Sequence, residues 1–143
     1  MKQYTVKIYV KTSLRGPCIK DGKYAAIVEC MTSKGPVTRQ ITGCEEKTTY
    51  YRSVLLAIVK ALEILNTECS VTIYTDCAFI KNTAERGCME DWRRSEWKKS
   101  SGEEVINKEL WQQFLDQMDR HIIAFRFSKI NAYEEKLEEL LTA

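Results

Sequence analysis

A chain of 143 residues, 44% hydrophobic and 29% charged, has the size and composition of one soluble globular domain spanning residues 1–143. A net charge of +2 excludes a polycation, so any nucleic-acid contact has to come from a local patch. No apolar run is long enough to cross a membrane, Met1-Lys2-Gln3-Tyr4 leads into alternating residues without the apolar core of an export signal, and Cys18, Cys30, Cys44, Cys69, Cys77 and Cys88 contain no Cys-x-x-Cys pair; the expectation is a cytoplasmic chain with free thiols, no membrane partner and no zinc site.

From Tyr4 to Lys11, Tyr4, Val6, Ile8 and Val10 alternate with Thr5, Lys7, Tyr9 and Lys11, the period of a strand. Gly16-Pro17 and Asp21-Gly22 mark a loop over 12–22. Lys23 to Met31 is a second, more apolar strand, Ser33-Lys34-Gly35 a tight turn, and Val37 to Thr42 a third strand with Arg39 toward solvent. The short turns predict an antiparallel meander. Thr48 or Thr49 caps a long helix whose apolar stripe, Val54, Ile58, Ala61, Leu62 and Leu65, is widened by Leu55, Leu56 and Val59 until the helix is largely buried. Val71-Thr72-Ile73-Tyr74-Thr75-Asp76 is a buried strand ending on a carboxylate. A strand reached through a helix lies parallel to its neighbour by a right-handed crossover, and ligands bind at the carboxyl ends of parallel strands. Asp76 there is either a site residue or the cap of the short helix that follows, Cys77 to Arg86, stopped by Gly87.

Cys88 to Gly102 interleaves Trp92 and Trp97 with Arg93, Arg94, Lys98 and Lys99. Cations between aromatics suit phosphate contact and base stacking; the competing reading packs both tryptophans onto the body and leaves the cations solvated. Glu103 to Arg120 is an amphipathic helix with Leu110, Trp111, Phe114, Leu115 and Met118 inward. Ile123, Phe125 and Phe127 alternate in a last strand after His121, to which no catalytic part is given. Cys69 and Cys77, flanking the central strand, are read as small core fillers. Asn131 and Glu134 suggest a capping box before a terminal helix with Tyr133, Leu137, Leu140 and Leu141 inward.

Three antiparallel strands, helix, strand, helices, strand, helix: this order, with Ile73-Tyr74-Thr75-Asp76 at its centre, resembles type 1 ribonuclease H. Ile8-Tyr9-Val10-Lys11-Thr12-Ser13 is similar to that family's first strand, and Thr48-Thr49-Tyr50-Tyr51-Arg52 to its entry into the first helix. Trp92-Arg93-Arg94-Ser95-Glu96-Trp97-Lys98 resembles the basic protrusion of the bacterial enzymes, and Asn107-Lys108-Glu109-Leu110-Trp111-Gln112 the start of the next helix. The resemblance covers nearly the whole chain and implies an α/β ribonuclease H-like fold: a five-stranded mixed sheet, three antiparallel strands then two parallel, with helices on both faces. It also implies a family chemistry, hydrolysis of the RNA strand of an RNA–DNA hybrid by four carboxylates and two Mg²⁺ ions.

Carried over position by position, that site is incomplete. Lys11 stands for the first-strand acid and Val54 for the first-helix acid. Asp76 keeps the central one, and the last falls at Glu138. Ile130-Asn131-Ala132 replaces a Gly-His loop, and Tyr50 and Tyr51 replace the paired asparagines that read the hybrid's minor groove. An ammonium ~4 Å from a cation, at an effective dielectric of ~20, opposes it by about 4 kcal/mol per unit charge. Asp21, Glu45 and Glu46, assigned to loops, are the acids that could substitute, and nothing in their spacing argues for it. The expectation is a catalytically degenerate domain whose remnant acids are Asp76 and Glu138, with no metal and no cofactor. It binds an RNA–DNA hybrid or duplex through Trp92, Arg93, Arg94, Trp97, Lys98, Lys99, Tyr50 and Tyr51. Lys11 is expected to fill the vacated metal position and pair with Asp76, joined by Glu138. Two alternatives stay open: an active Mg²⁺-dependent hybrid ribonuclease with a rearranged site, and a protein-interaction scaffold without nucleic acid.

Overall fold

Period-two alternation in the strands sorts the side chains into two layers. The computed structural model describes residues 4–142; Met1, Lys2 and Gln3, expected to carry no export signal, lie outside them. β1 (Tyr4–Thr12), β2 (Lys20–Thr32) and β3 (Gly35–Thr48) pair antiparallel, and β4 (Cys69–Thr75) and β5 (Ile122–Phe127) continue the sheet in parallel, in the order β3-β2-β1-β4-β5. Val6, Ile8 and Val10 of β1, Val28 of β2 and Ile73 of β4 point to one face, which α1 (Tyr50–Glu63) covers with the buried row Val54 to Val59, Ala61 and Leu62. α2 (Ala78–Glu85), α3 (Cys88–Arg94) and α4 (Lys108–Arg120) extend that layer through Ile80, Met89, Leu110, Trp111 and Phe114. Tyr9, Ala25 and Ile27 point the other way, and α5 (Glu134–Thr142) covers them with Leu137 and Leu141. A side chain as buried as Leu137 contributes about 1.5–3 kcal/mol. This is the five-stranded mixed sheet with helices on both faces that the resemblance implied.

Thr49 is the cap of α1, its side chain accepting from the Arg52 N–H at 3.3 Å, while Thr48 is buried at the end of β3. Several expected boundaries differ. Asp21-Gly22 belongs to β2, beside a register shift between Lys20 and Gly22, and β3 runs on to Thr48 because its pairing with β2 continues that far. Exposure along this edge strand hides its length from the apolar pattern. α4 starts at Lys108 and not at Glu103: Asn107 is left-handed at φ 61°, and Glu104 bridges to Lys98. Met118 is on the exposed side of α4, with Gln117 buried in its place. Phe127, at the end of edge strand β5, is exposed; only Ile123 and Phe125 reach the core. The capping box does not form, since the Asn131 side chain accepts from the Tyr133 N–H at 2.8 Å and the Glu134 carboxylate is held by Lys11. Cys69 and Cys77 are buried beside β4, as expected of core fillers, and all six thiols are free. No helix among the described residues is long and apolar enough to cross a membrane.

Candidate functional site

β1 and β4 run parallel in a register that pairs Tyr9 with Tyr74, so Lys11 and Asp76 come level where both strands end. Lys11 shares the side-chain direction of Tyr9 and therefore lies on the α5 face. There Glu134 and Glu138, one helical turn apart on α5, both reach its ammonium. Lys11 Nζ donates to Glu134 Oε1 and lies 3.0 Å from Glu138 Oε1; Arg15 adds a looser contact to Glu138 at 3.7 Å. The Lys11 side chain is only 13% exposed. Burial alone pulls its pKa down, but the hydrogen bonds to Glu134 and Glu138 outweigh burial and raise it above the ordinary lysine value, so the ammonium is fixed in its charged form.

The expected Lys11–Asp76 pair is therefore corrected. Lys11 does take up carboxylates, but from α5: Glu138 as expected, and Glu134, which the sequence pattern marked only as a cap residue. Its signal was the spacing of four from Glu138, which puts both acids on one helical face. Asp76 is exposed and accepts from Tyr50 Oη at 3.3 Å. The Tyr50 phenol is raised well above its usual range by burial, and further by Cys77 and Asp76 beside it. Asp76 does not cap α2, whose cap residue is Cys77. Val54 is 2% exposed inside the main core and does not line the cleft bounded by Lys11, Leu14, Arg15, Tyr50 and Asp76. Asp21, Glu45 and Glu46 lie in β2 and β3, not in loops, and two have structural partners: Asp21 accepts from the Lys47 N–H at 3.0 Å, and Glu45 holds Arg52 at 2.9 Å. Among the described residues, no three His, Cys, Asp or Glu side chains are grouped to hold a metal ion.

Arg52 is a second residue that sequence reasoning did not single out. From the first turn of α1 it pairs with Glu45 of β3 and Glu109 of α4 and donates to Asn107 Oδ1 at 3.2 Å, linking three elements at one point. Its guanidinium draws the Glu109 carboxyl below the usual range. The available clue was an arginine one turn into a helix that is otherwise buried.

The protrusion divides between its two readings. Trp92 and Trp97 are half-buried and packed on the core, with Trp92 edge-on to Trp111 at 5.7 Å and 6.0 Å from Trp97. Their inner faces anchor the protrusion to the core. Arg93, Arg94, Lys98 and Lys99 are exposed or half-exposed, three of them in loose pairs with Glu90, Asp91 and Glu104 at 3.7–3.8 Å. Pairs this open contribute little and exchange readily. The exposed aromatic surface lies elsewhere: Tyr51, beside Tyr50 at the start of α1, stacks on Phe79 of α2.

The ribonuclease H family model matches residues 3–136. Among curated relatives, the ribonuclease H of Caldicellulosiruptor saccharolyticus is 36% identical over 110 residues, covering 77% of this chain and 75% of its own, and that of Chlorobium luteolum is 33% identical over 113 residues, covering 77% of each. Among solved structures, LC9-RNase H1, a type 1 RNase H with the type 2 active-site motif, superimposes with a TM-score of 0.80 at 23% identity, covering 99% of this chain and 72% of that one. LC11-RNase H1 in complex with RNA/DNA hybrid superimposes with a TM-score of 0.65 at 16% identity, over 96% and 94% of the two chains. Sheet order, helix placement and these matches agree: the chain belongs to the ribonuclease H family.

Proposed function

We propose that this chain is a ribonuclease H-like domain that binds nucleic acid of the RNA–DNA hybrid class without cleaving it. The observation that carries the reading is the Lys11 ammonium, held by Glu134 and Glu138 where β1 ends beside β4. Mg²⁺ requires several oxygen ligands in near-ideal octahedral geometry. The residues present do not fit it. Lys11 adds a positive charge, Val54 is sealed in the core without a donor atom, and Glu134 and Glu138 are already engaged by the Lys11 ammonium. Asp76, at the end of β4, accepts from Tyr50 and is not joined to that cluster. Hybrid binding is supported by membership of the family, by the relative solved with a hybrid, and by the cations on the protrusion. A scaffold without nucleic acid is the second reading, favoured by the inward tryptophans and the acids that face three of those cations.

The test is one labelled RNA–DNA hybrid in Mg²⁺ and in Mn²⁺, with cleavage and binding measured on the same preparation. Binding that weakens with salt, without cleavage above background, is the expected result. Cleavage abolished by Asp76→Asn establishes an active enzyme with a rearranged site. Absence of both leaves the scaffold.

A further inference from the structure

Two aromatic rings lie face to face on the surface next to this site. Tyr51 from the first turn of α1 and Phe79 from the first turn of α2 stack with centroids 4.2 Å apart and planes 14° off parallel, yet they remain 43% and 50% exposed. The two helix starts bring them together: Tyr51 follows Tyr50 past the Thr49 cap, and Phe79 follows Cys77 past the end of β4. Neither ring joins the core, in contrast to Trp92 and Trp97. Tyr51 also lines a cleft of about 420 Å³ whose other walls include Arg15, Pro17, Tyr50 and Ile106, the last 67% exposed. Arg15 and Tyr50 also line the cleft of Lys11 and Asp76, so the two clefts adjoin.

We propose that Tyr51 and Phe79 form a stacking platform for an unpaired base in a single-stranded segment adjoining the bound hybrid, with Arg15 taking its phosphate. This rests on the nucleic-acid reading above and names what the aromatic surface recognises. A flat apolar face beside a cation matches a base and its phosphate. Arg15 is 79% exposed and its contact to Glu138 is long at 3.7 Å, so the guanidinium is available to an incoming anion. Neither α1 nor α2 carries an acid in its first turn, from which Tyr51 and Phe79 project. Inside a duplex both faces of each base are covered by neighbours. Away from its ends a duplex has no base face to offer, so along these clefts the platform selects for a single-stranded extension and not for the helix itself.

The test compares by fluorescence anisotropy, at fixed salt, a blunt RNA–DNA hybrid and the same hybrid with a DNA or an RNA overhang of about six nucleotides. The overhang is expected to tighten binding about tenfold, the equivalent of one well-stacked base. Phe79→Ala is expected to erase that gain and leave the blunt hybrid unchanged, and Phe79→Tyr to retain it. Comparison of the DNA and RNA arms tells which strand the platform takes. Equal affinity for blunt and overhanging hybrids in the unmodified protein overturns the platform alone. An equal weakening on both substrates in Phe79→Ala overturns it as well. Failure of every substrate to bind overturns the nucleic-acid reading and the platform with it. The comparison within the unmodified protein stands whether or not the variants fold.

Discussion

Replacing Lys11 by methionine keeps a long aliphatic stem and deletes the ammonium. Glu134 and Glu138, now facing each other at a spacing of four on α5, lose their shared cation, and Glu134 loses it in a place where its side chain is 23% exposed. Exposed ion pairs contribute about 0.2–1 kcal/mol, and breaking a fully buried one costs about 3–5 kcal/mol. With Lys11 at 13% and Glu138 at 46% exposure, this cluster falls between those limits, at about 2 kcal/mol. For a chain of this length that corresponds to a drop of about 4–8 °C in Tm. The sign with pH follows from the raised pKa. A lysine whose folded value lies above its ordinary 10.5 contributes stability that is fully present below that value and is lost as pH rises through the folded one. The cost of Lys11→Met is therefore expected to be flat across neutral pH and to shrink in strong alkali. Denaturant unfolding of Lys11→Met, Glu134→Gln and the double variant supplies the coupling energy, with Arg94→Met, from an open pair on α3, as the surface control. A cost for Lys11→Met no larger than that of the control refutes the argument that α5 is held by this cation.

Lys11→Asp is expected to convert the cluster into a set of carboxylates that does accept a hard cation, seen as a Mn²⁺-dependent rise in Tm that Lys11→Met lacks; no difference between the two removes the case that the lysine is what excludes metal. Alanine at Arg93, Arg94, Lys98 and Lys99 is expected to weaken hybrid binding and to flatten its log–log salt slope by about 0.7–0.9 for each phosphate that is no longer neutralised, and an unchanged slope moves the binding surface off the protrusion. His121 is buried with Nδ1 accepting the Cys69 N–H at 3.0 Å, and burial, aided by Arg120 and opposed by Glu68, lowers its pKa below the ordinary 6.5. The unfolded chain then binds the extra proton first, so stability is complete above about pH 6.5 and declines as pH falls through that value; chemical denaturation across pH 5 to 8 is expected to show this decline and to show less of it in His121→Gln.

Period-two alternation made the strands of the core legible. Val6, Ile8 and Val10 announce their face without help from the rest of the chain. Residues whose neighbours come from afar were harder. Glu134 reads as a cap residue from its local spacing, and only the packing of α5 across β1 turns it toward Lys11. The family resemblance placed Lys11 level with Asp76, as the parallel register of β1 and β4 bears out, yet strand order says nothing of which carboxylate approaches from the third dimension. The inward packing of the protrusion's aromatics was hidden for the same reason. Trp92 and Trp97 sit among charges in sequence, while Trp111, the ring that draws Trp92 inward, lies on another helix. Tyr51 and Phe79 are ordinary one at a time and become a surface only where two helix starts converge.

The bridge between Lys11 and Glu134 joins residues 123 positions apart. Until α5 has been made, the sheet face bearing Tyr9, Ala25 and Ile27 has no cover, because Leu137 and Leu141 are what bury it. A growing chain therefore passes through a stage in which its central strands have formed but display an apolar strip with an unclaimed ammonium at its end. Interactions this distant in sequence close late, and uncovered strips of this kind invite association with other chains. Emergence of α5 from the ribosome, and not assembly of the meander, is the step that completes the site. A chain ended before Glu134 is expected to remain aggregation-prone, and one that stays monomeric with a native-like melt would contradict this order of events.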